Sequence, residues 1–216
     1  ILNAITYIQD SGIPIVGVNT GRLGFLATIN KNLFLDQLEA IFEDEYKLVP
    51  RSLLTIYSEK PIDLDYNFAL NEITVTRRET TSMITVDSWL NGEFLNSFWA
   101  DGLIVSTPTG STGYSLSCGG PIVHPSNENF IVTPIAPHNL NVRPLVLDDD
   151  GVIDLKIKSR ANEYFLSLDS RNIALPTSVE IQIKKADFYI YIVETNEINY
   201  FNTLREKFLW GSDKRN

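Results

Sequence analysis

The sequence predicts an α/β segment followed by a two-layer antiparallel β domain, with a final helix that returns to the α/β part. Three observations support this fold class. A helix, a turn and a short apolar strand open the chain, alternating runs rich in Val, Ile, Thr, Phe and Tyr begin near Lys47, and helical periodicity returns at the end. We therefore divide the chain into residues 1–46, 47–195 and 196–216.

The first segment has the pattern of half a βαβ unit, which indicates a truncated Rossmann-like domain. Apolar residues at helical spacing in residues 1–10 precede Gly12, and the apolar run 13–19 follows as a buried parallel strand. Residues 30–46 then predict an amphipathic helix. Its apolar face consists of Leu33, Phe34, Leu38, Ile41 and Phe42.

The second segment contains the strongest hairpin motifs of the chain. Asn91-Gly92 and Asp150-Gly151 each stand between two strand-like runs, and both dipeptides favour two-residue turns. After this segment, Phe201, Leu204 and Phe208 fall on one face of a terminal helix, which needs a surface to cover. We expect that surface to be the α/β part.

Composition excludes several classes of protein. The chain has 216 residues, a net charge of −9 and a pI near 4.7, which disfavours binding to nucleic acid or to an anionic membrane. The single cysteine, Cys118, excludes an intramolecular disulfide and fits a reducing compartment. No apolar run approaches the length of a membrane span, so we expect a cytoplasmic protein.

Residues 106–121, STPTGSTGYSLSCGGP, are rich in hydroxyl groups and lack charge. A short helix capped by Ser111 or Thr112 would present free amides and hydroxyls to a phosphate, a ribose or an adenine edge. A loop that binds its own backbone explains the composition equally well. The stretch lacks the lysine of a Walker A loop and the spacing of a nucleophile elbow, so a serine hydrolase built on Ser111 with His124 or His138 has no support from a motif.

Three polar residues lie inside or beside apolar runs, where burial is costly without hydrogen bonds. Asn71 and Glu72 interrupt FALNEITV, and Asp101 precedes the strand GLIVS. Near a hydroxyl-rich loop, they indicate a polar binding site. Asp169 and Arg171 form either a surface turn or a charged pair at a ligand phosphate. A content of two histidines and one cysteine disfavours a metal site built from such ligands, so we expect no protein-bound metal.

Five segments, in order and over essentially the whole chain, resemble the NAD kinases. They are GVNTGRLGFLA, LNEITV, ADGLIVSTPTGSTGYSLSCGGPIVHP, VTPIAPHNLNVRPLV and LREKFLWGSDKRN. The resemblance implies phosphoryl transfer from ATP, or from inorganic polyphosphate, to the 2′-hydroxyl of the adenosine ribose of NAD, which yields NADP. It also implies NAD bound between an α/β domain and a β domain, a homodimer or homotetramer, and a divalent cation, Mg²⁺ or Mn²⁺, carried with the phosphoryl donor.

The resemblance also carries over site residues. Asn71 and Glu72 match the pair that binds the ribose and base edges, and Asp101 matches the aspartate at the far nucleoside end. The residues matching the segment that lines the NAD site, with the backbone contact at position 136, are Thr112, Gly113, Tyr114, Ser115, Leu116, Ser117 and Ala136. Further candidates for the binding site are Ser82, Thr109, Asp169 and Arg171.

Three departures from the family pattern matter. Gly113 stands where alanine is common, a change that we expect to be tolerated. Asp169-Ser170-Arg171 replaces Asp-Gly-Gln, and an arginine at position 171 would be able to face the new 2′-phosphate. The Gly-Gly-Asp-Gly loop, with the catalytic aspartate, is absent from this chain and is expected directly before Ile1, so we expect residues 1–216 alone to have negligible kinase activity.

Two other functions stay open. A lipid or sphingoid kinase of the related fold requires a wide apolar site, whereas TGSTGYSLS is polar. A non-catalytic dinucleotide-binding or regulatory module would keep the same binding residues without the catalytic loop.

Overall fold

A computed structural model describes residues 1–21, 24–27, 29–31, 34–79, 82–195 and 199–211. Contacts divide the chain into two compact units. The first contains Ile1–Arg51 with Tyr189–Asn216, and the second contains Ser52–Phe188. The divisions predicted at residues 46 and 195 stay predictions.

The elements of the first unit are α1 (Leu2–Ile8), β1 (Val18–Asn19), β2 (Ile29–Asn30), α2 (Phe34–Phe42), β3 (Tyr46–Arg51), β16 (Ile190–Thr195) and α4 (Tyr200–Phe208). Those of the second are β4 (Leu54–Tyr57), β5 (Phe68–Ala69), β6 (Glu72–Arg77), β7 (Ile84–Leu90), β8 (Glu93–Ala100), β9 (Gly102–Ser106), a 3₁₀ turn (Thr109–Thr112), α3 (Tyr114–Ser117), β10 (Asn129–Ile135), β11 (Leu145–Asp148), β12 (Ile153–Lys158), β13 (Glu163–Leu168), β14 (Arg171–Pro176) and β15 (Ile181–Lys185).

The opening of the chain confirms the predicted helix and the parallel direction of the strand after it. Ile5 of α1 is fully buried, as expected for the apolar face. The strand is shorter than residues 13–19, because only β1 pairs with β2, in parallel, while Ile15 makes a parallel bridge to Ile192.

The second helix differs from the prediction in length and in its buried face. Asn30 belongs to β2 and Tyr46 begins β3, so α2 occupies only the middle of residues 30–46. Phe42 is 80% exposed, whereas Gln37 is buried and its amide oxygen accepts a hydrogen bond from Thr195. The predicted apolar face is therefore wrong at Phe42, and Leu33 lies outside the described residues.

The terminal helix packs on the early part of the chain, as predicted. Asn199 caps α4, since its side-chain oxygen accepts hydrogen bonds from the first backbone amides of the helix. Phe25 contacts the rings of Tyr200 and Phe208, with centroids 6.3 and 5.7 Å away. Leu204 is buried, but Phe201 is exposed, so the predicted face is correct in only part of its residues.

The second unit is the predicted pair of antiparallel layers. The first sheet has the strand order β11-β10-β9-β6-β13-β14, and the second sheet has the order β5-β4-β15-β12-β7-β8. Side chains of both sheets form one apolar core, with Phe98, Phe130 and Tyr164 among its largest members. Burial of this apolar surface drives the two sheets together.

One predicted hairpin is confirmed and the other is wrong. Asn91 and Gly92 have φ of +52° and +80°, and they join β7 to β8 as a primed turn requires. Asp150 and Gly151 instead connect β11 in the first sheet to β12 in the second. A Cβ atom on Gly151 would lie 2.7 Å from Leu90 Cδ1, so a larger residue there would shift the Leu90 side chain.

Candidate functional site

Residues 70–72, here called the 70–72 corner, connect β5 to β6 at one end of the first sheet. Pairing of β6 with β9 sets Glu72 opposite Ser106, and pairing of β6 with β13 sets Ile73 opposite Leu168. The segments that follow β9 and β13 therefore meet at this corner. Residues about 30 and about 100 positions after the corner in the sequence are therefore its neighbours in the structure.

The carboxylate of Asp169 accepts three hydrogen bonds from the 70–72 corner. Oδ1 accepts from the backbone amides of Asn71 at 2.8 Å and Glu72 at 3.3 Å, and Oδ2 accepts from that of Leu70 at 3.0 Å. The Asp169 amide donates in return to the Glu72 carbonyl at 2.9 Å. Burial raises the pKa of Asp169, and the three amides oppose that shift.

Two acceptor atoms of the corner have no donor within the described residues. Asn71 Oδ1 and Glu72 Oε2 are both buried and lack a hydrogen-bond partner there. Burial, together with the nearby charge of Asp169, raises the pKa of Glu72 from 4.5 to about 7, while the Tyr114 amide acts in the opposite direction. Unsatisfied buried groups are costly and rare in native proteins, so each of these atoms is a candidate for contact with a ligand or a water molecule.

The 3₁₀ turn packs directly on the corner. Thr107 donates its amide to the Asn71 carbonyl at 2.9 Å and its hydroxyl to the Leu70 carbonyl at 2.6 Å. Gly110 lies so close that a Cβ atom there would stand 2.0 Å from the Asn71 oxygen. The absence of a side chain at this glycine is therefore a requirement of the site.

The start of α3 differs from the sequence expectation. Its N-cap is Gly113, not Ser111 or Thr112, and no side chain caps it. The Tyr114 amide interacts with the Glu72 carboxyl group instead of standing free for a phosphate. A Cβ atom on Gly113 would lie 2.8 Å from Glu72 Oε2, so alanine at this position would displace the carboxyl group. Glycine at position 113 is therefore more than a tolerated replacement for alanine, because it leaves room for the Glu72 carboxyl group.

Several hydroxyl groups of residues 106–121 bind the protein's own groups. Ser111 is fully buried, and its Oγ accepts from the Val123 amide at 3.1 Å and donates to the Val123 carbonyl at 3.2 Å. Ser115 Oγ lies 2.8 Å from Thr133 Oγ1. His124 Nδ1 lies 2.7 Å from Ser126 Oγ. These contacts favour the structural interpretation for Ser111 and Ser115 and disfavour a hydrolase built on Ser111.

Asp101 lies beside Tyr114 and Ala136, two other predicted site residues, and forms an ion pair with Arg77. Arg77 Nη2 is 3.0 Å from Asp101 Oδ2, and both side chains are partly exposed. Burial, then Cys118, then the charge of Asp101 raise the pKa of Tyr114. The Asp101 amide donates to the Ile135 carbonyl at 2.9 Å, which brings the next residue, Ala136, close to it.

The backbone at Ala136 supports a special role. Its φ of +43° is uncommon for a residue that has a side chain. Two residues later, the His138 amide donates a hydrogen bond to the Trp99 carbonyl at 2.9 Å. The ring centroids of these two side chains are 4.2 Å apart. Strained conformations that neighbouring contacts hold in place are frequent at binding sites.

The remaining candidates are distributed around this region. Thr112 Oγ1 donates to the Thr109 carbonyl at 3.2 Å, whereas Ser117 is exposed and Leu116 is half-buried. Ser82 precedes β7 by two residues, and the first residue of β7 pairs with the last of β8, next to Asp101. Their contacts with a ligand stay predictions.

Arg171 contacts backbone carbonyls of its own unit. Its guanidinium donates to the carbonyls of Phe68, Tyr66 and Leu168, the last two at 3.3 Å. It also lies 5.5 Å from the centre of the Phe68 ring. These contacts indicate that Arg171 supports the backbone of its neighbours, and they disfavour the predicted contact of Arg171 with a 2′-phosphate.

Sequence reasoning did not identify Thr107 and Arg77 as part of the site. The structure places Thr107 under the 70–72 corner and Arg77 on Asp101. A threonine directly after the apolar strand β9 was a weak indication, and nothing in the sequence linked Arg77 with Asp101.

A concave surface of the second unit lies away from these residues. A groove of about 740 Å³ on the second sheet is lined by none of the predicted site residues. Its lining includes Tyr57, Lys60, Trp89, Lys156 and Glu180. No group of three or more metal-ligating side chains occurs within the described part of the chain, and the Asp169 carboxylate is engaged with three backbone amides. The described residues therefore do not fit a protein-held cation.

Comparison with known proteins explains the arrangement. Residues 1–46 match the ATP-NAD kinase N-terminal domain, and residues 70–195 match the ATP-NAD kinase C-terminal domain. The chain belongs to the NAD kinase family. The matched C-terminal region begins at the 70–72 corner and contains every site residue that the sequence predicted.

Individual relatives agree with this assignment. NAD kinases from Christiangramia forsetii and Cytophaga hutchinsonii are 55% and 51% identical, and each alignment covers the whole chain and 74% of the relative. Yeast NADH kinase, solved with NADH, superposes with a TM-score of 0.87 at 27% identity over 98% of this chain and 64% of its own. An Archaeoglobus fulgidus NAD kinase, solved with ATP, gives 0.74 at 30% identity over 90% of this chain and 73% of its own.

Of the helices in the described part of the chain, none combines the length and apolar character needed to cross a bilayer.

Proposed function

We propose that this protein is an NAD kinase that phosphorylates the 2′-hydroxyl of the adenosine ribose of NAD, with ATP or inorganic polyphosphate as donor. One observation carries the proposal. Asn71 Oδ1 and Glu72 Oε2 are buried acceptors without a donor in the described residues, and both side chains border Gly113. The adjacent hydroxyls of a ribose are donors of the kind that these two atoms lack.

The surrounding residues suit the rest of a dinucleotide. Asp101 offers a partly exposed carboxylate for a carboxamide or amino group, and Ala136 places a strained backbone beside it. Tyr114, exposed on α3, offers a ring and a hydroxyl near Cys118 and Asp101. In phosphoryl transfer most of the rate comes from such positioning and from neutralisation of charge.

A divalent cation completes the proposal. Since the described carboxylates do not form a cation site, Mg²⁺ or Mn²⁺ would arrive bound to the donor's phosphates, whose negative charge it offsets. The residues of this chain bind and orient NAD.

A lipid kinase is less consistent with the site. An acyl chain requires apolar walls, whereas the groups that border the corner are an amide, two carboxyl groups and several hydroxyls. A non-catalytic dinucleotide-binding module would use the same groups, so measurement of the reaction must separate it from a kinase.

The assembly and location are further parts of the proposal. Phe94, Trp99, Leu140 and Val146 are exposed apolar side chains on or beside the edge strands β8 and β11. They are suited to contact with a second copy in a homodimer or homotetramer. A cytoplasmic location agrees with the single free cysteine.

Phosphorylation assays on the full-length protein test the function. We expect NADP to form from NAD, ATP and Mg²⁺, detected with an NADP-specific dehydrogenase, because the corner recognises ribose. Sphingosine and diacylglycerol should remain unphosphorylated under the same conditions. Lipid phosphorylation would support the related lipid kinases, and NAD binding without NADP formation would support the non-catalytic module.

A further inference from the structure

The turn between β13 and β14 reaches the 70–72 corner through Asp169. This residue has φ of +52°, a conformation that side chains rarely adopt. Ser167 Oγ donates to the Asp169 carbonyl at 3.0 Å, and the Asp169 amide donates to Glu72. These hydrogen bonds on both sides of Asp169 therefore stabilise its positive φ.

The Asp169 side chain replaces hydrogen bonds that the sheet does not provide. β5 ends at Ala69 and β6 begins at Glu72, so the amides between them lie at a break in the strand pairing. The carboxylate is 3% exposed and accepts from three consecutive amides, those of residues 70–72. Without it, these amides would be buried donors, which native structures rarely leave unpaired.

Arg171 fixes the segment that leads into the corner. Its guanidinium binds the carbonyls of Tyr66 and Phe68 and lies over the Phe68 ring. It also lies 4.0 Å from Asp169 Oδ2, which places the two opposite charges side by side. Two side chains of one short turn thus hold residues 66–72 by their backbone.

We propose that Asp169 is a positioning residue of the NAD site: by binding the amides of residues 70–72, it aims Asn71 Oδ1 and Glu72 Oε2 at the ribose without touching the dinucleotide. Arg171 assists by fixing residues 66–68. This inference rests on the proposed function. It replaces the interpretation in which Asp169 and Arg171 bind a ligand phosphate.

Two substitutions isolate the carboxylate in the full-length protein. Asp169→Asn keeps a side chain that tolerates positive φ but turns one acceptor into a donor facing an amide. Asp169→Gly keeps the turn conformation and removes the acceptors. Asp87→Asn is the matched control, because Asp87 is a buried carboxylate that binds Lys158 and Ser97 on the second sheet, away from the corner.

Both Asp169 variants should raise KM for NAD by about tenfold or more, the loss equivalent to one charge-assisted hydrogen bond, and leave KM for ATP within about twofold. Hydrogen exchange should accelerate in a peptide covering residues 66–72 and stay unchanged in residues 84–100. Asp87→Asn should lower thermal stability without this pattern. Arg171→Gln should weaken NAD and NADP equally.

Other outcomes overturn the inference. If the KM values for NAD and ATP change together, in proportion to lost thermal stability as with Asp87→Asn, Asp169 is only structural. A loss of NADP binding that exceeds the loss of NAD binding would place the pair at the 2′-phosphate. A wild-type protein that forms no NADP rejects the proposed function instead, and the exchange of residues 66–72 still decides whether Asp169 holds the corner.

Discussion

Replacement of Gly110 by alanine should abolish NAD binding and lower the free energy of unfolding by about 3 kcal/mol. The added Cβ would lie 2.0 Å from the Asn71 oxygen and 2.5 Å from its carbonyl carbon. Both are backbone atoms, so the strain cannot be relieved by a rotamer change and must move the 70–72 corner or the 3₁₀ turn. Urea denaturation and isothermal titration with NAD measure the two effects.

Gly92→Ala separates instability from damage to the site. A Cβ atom on Gly92 would meet no other atom, but the residue has φ of +80°, so alanine there costs about 1 kcal/mol through backbone strain alone. We expect this variant to bind NAD like the wild type. Normal NAD affinity in Gly110→Ala would show that the corner does not require its contact with the turn.

Replacement of Glu72 by glutamine should weaken NAD binding while making the protein more stable above neutral pH. Glutamine keeps one acceptor oxygen, replaces the other with an NH₂ donor and carries no charge. At about pH 8.5 we expect at least about a tenfold loss in NAD affinity, the value of one hydrogen bond to a charged group. Titrations at several pH values measure it.

The sign of the stability effect follows from the raised pKa of Glu72. Between pH 4.5 and about 7 the folded protein keeps a proton on this group that the unfolded chain releases, so the free energy of unfolding falls as pH rises. The cost is complete above about pH 7 and is on the order of 3 kcal/mol. Glu72→Gln removes this decline.

NAD affinity of the wild type should change in the opposite direction. The ionised carboxylate is the stronger acceptor, so binding should tighten as pH rises through about 7, and Glu72→Gln should flatten this dependence. Glu93→Gln, at an exposed position of β8, should retain the wild-type profiles. An unchanged pH profile of binding in Glu72→Gln would contradict the assignment.

The sequence predicted the layers of the fold better than their connections. Alternating apolar residues are sufficient to indicate strands that bury one face, and the conformation of Asn91-Gly92 is local, so both predictions are confirmed. The hairpin predicted at Asp150-Gly151 is wrong because β11 and β12 pair with other strands, in different sheets, and the dipeptide does not determine that pairing. The α2 face is wrong because Thr195 supplies a partner for Gln37.

The site was predicted in its residue types but not in its internal contacts. Asn71 and Glu72 stood out as polar residues in an apolar run, and the family resemblance supplied their role. Their dependence on Asp169, nearly 100 residues later, follows only from the pairing of β6 with β13. Likewise, Gly113 looked like a tolerated change until its distance to Glu72 was known.

Hydrogen exchange with and without NAD tests the central claim most directly. If the corner and α3 recognise NAD, exchange in the full-length protein should slow in residues 66–72 and 106–118 when NAD is added. Residues 54–60 and 178–182, which border the groove on the second sheet, should be unaffected. Binding of NAD that leaves residues 66–72 unprotected, or that protects only the groove, would contradict the account.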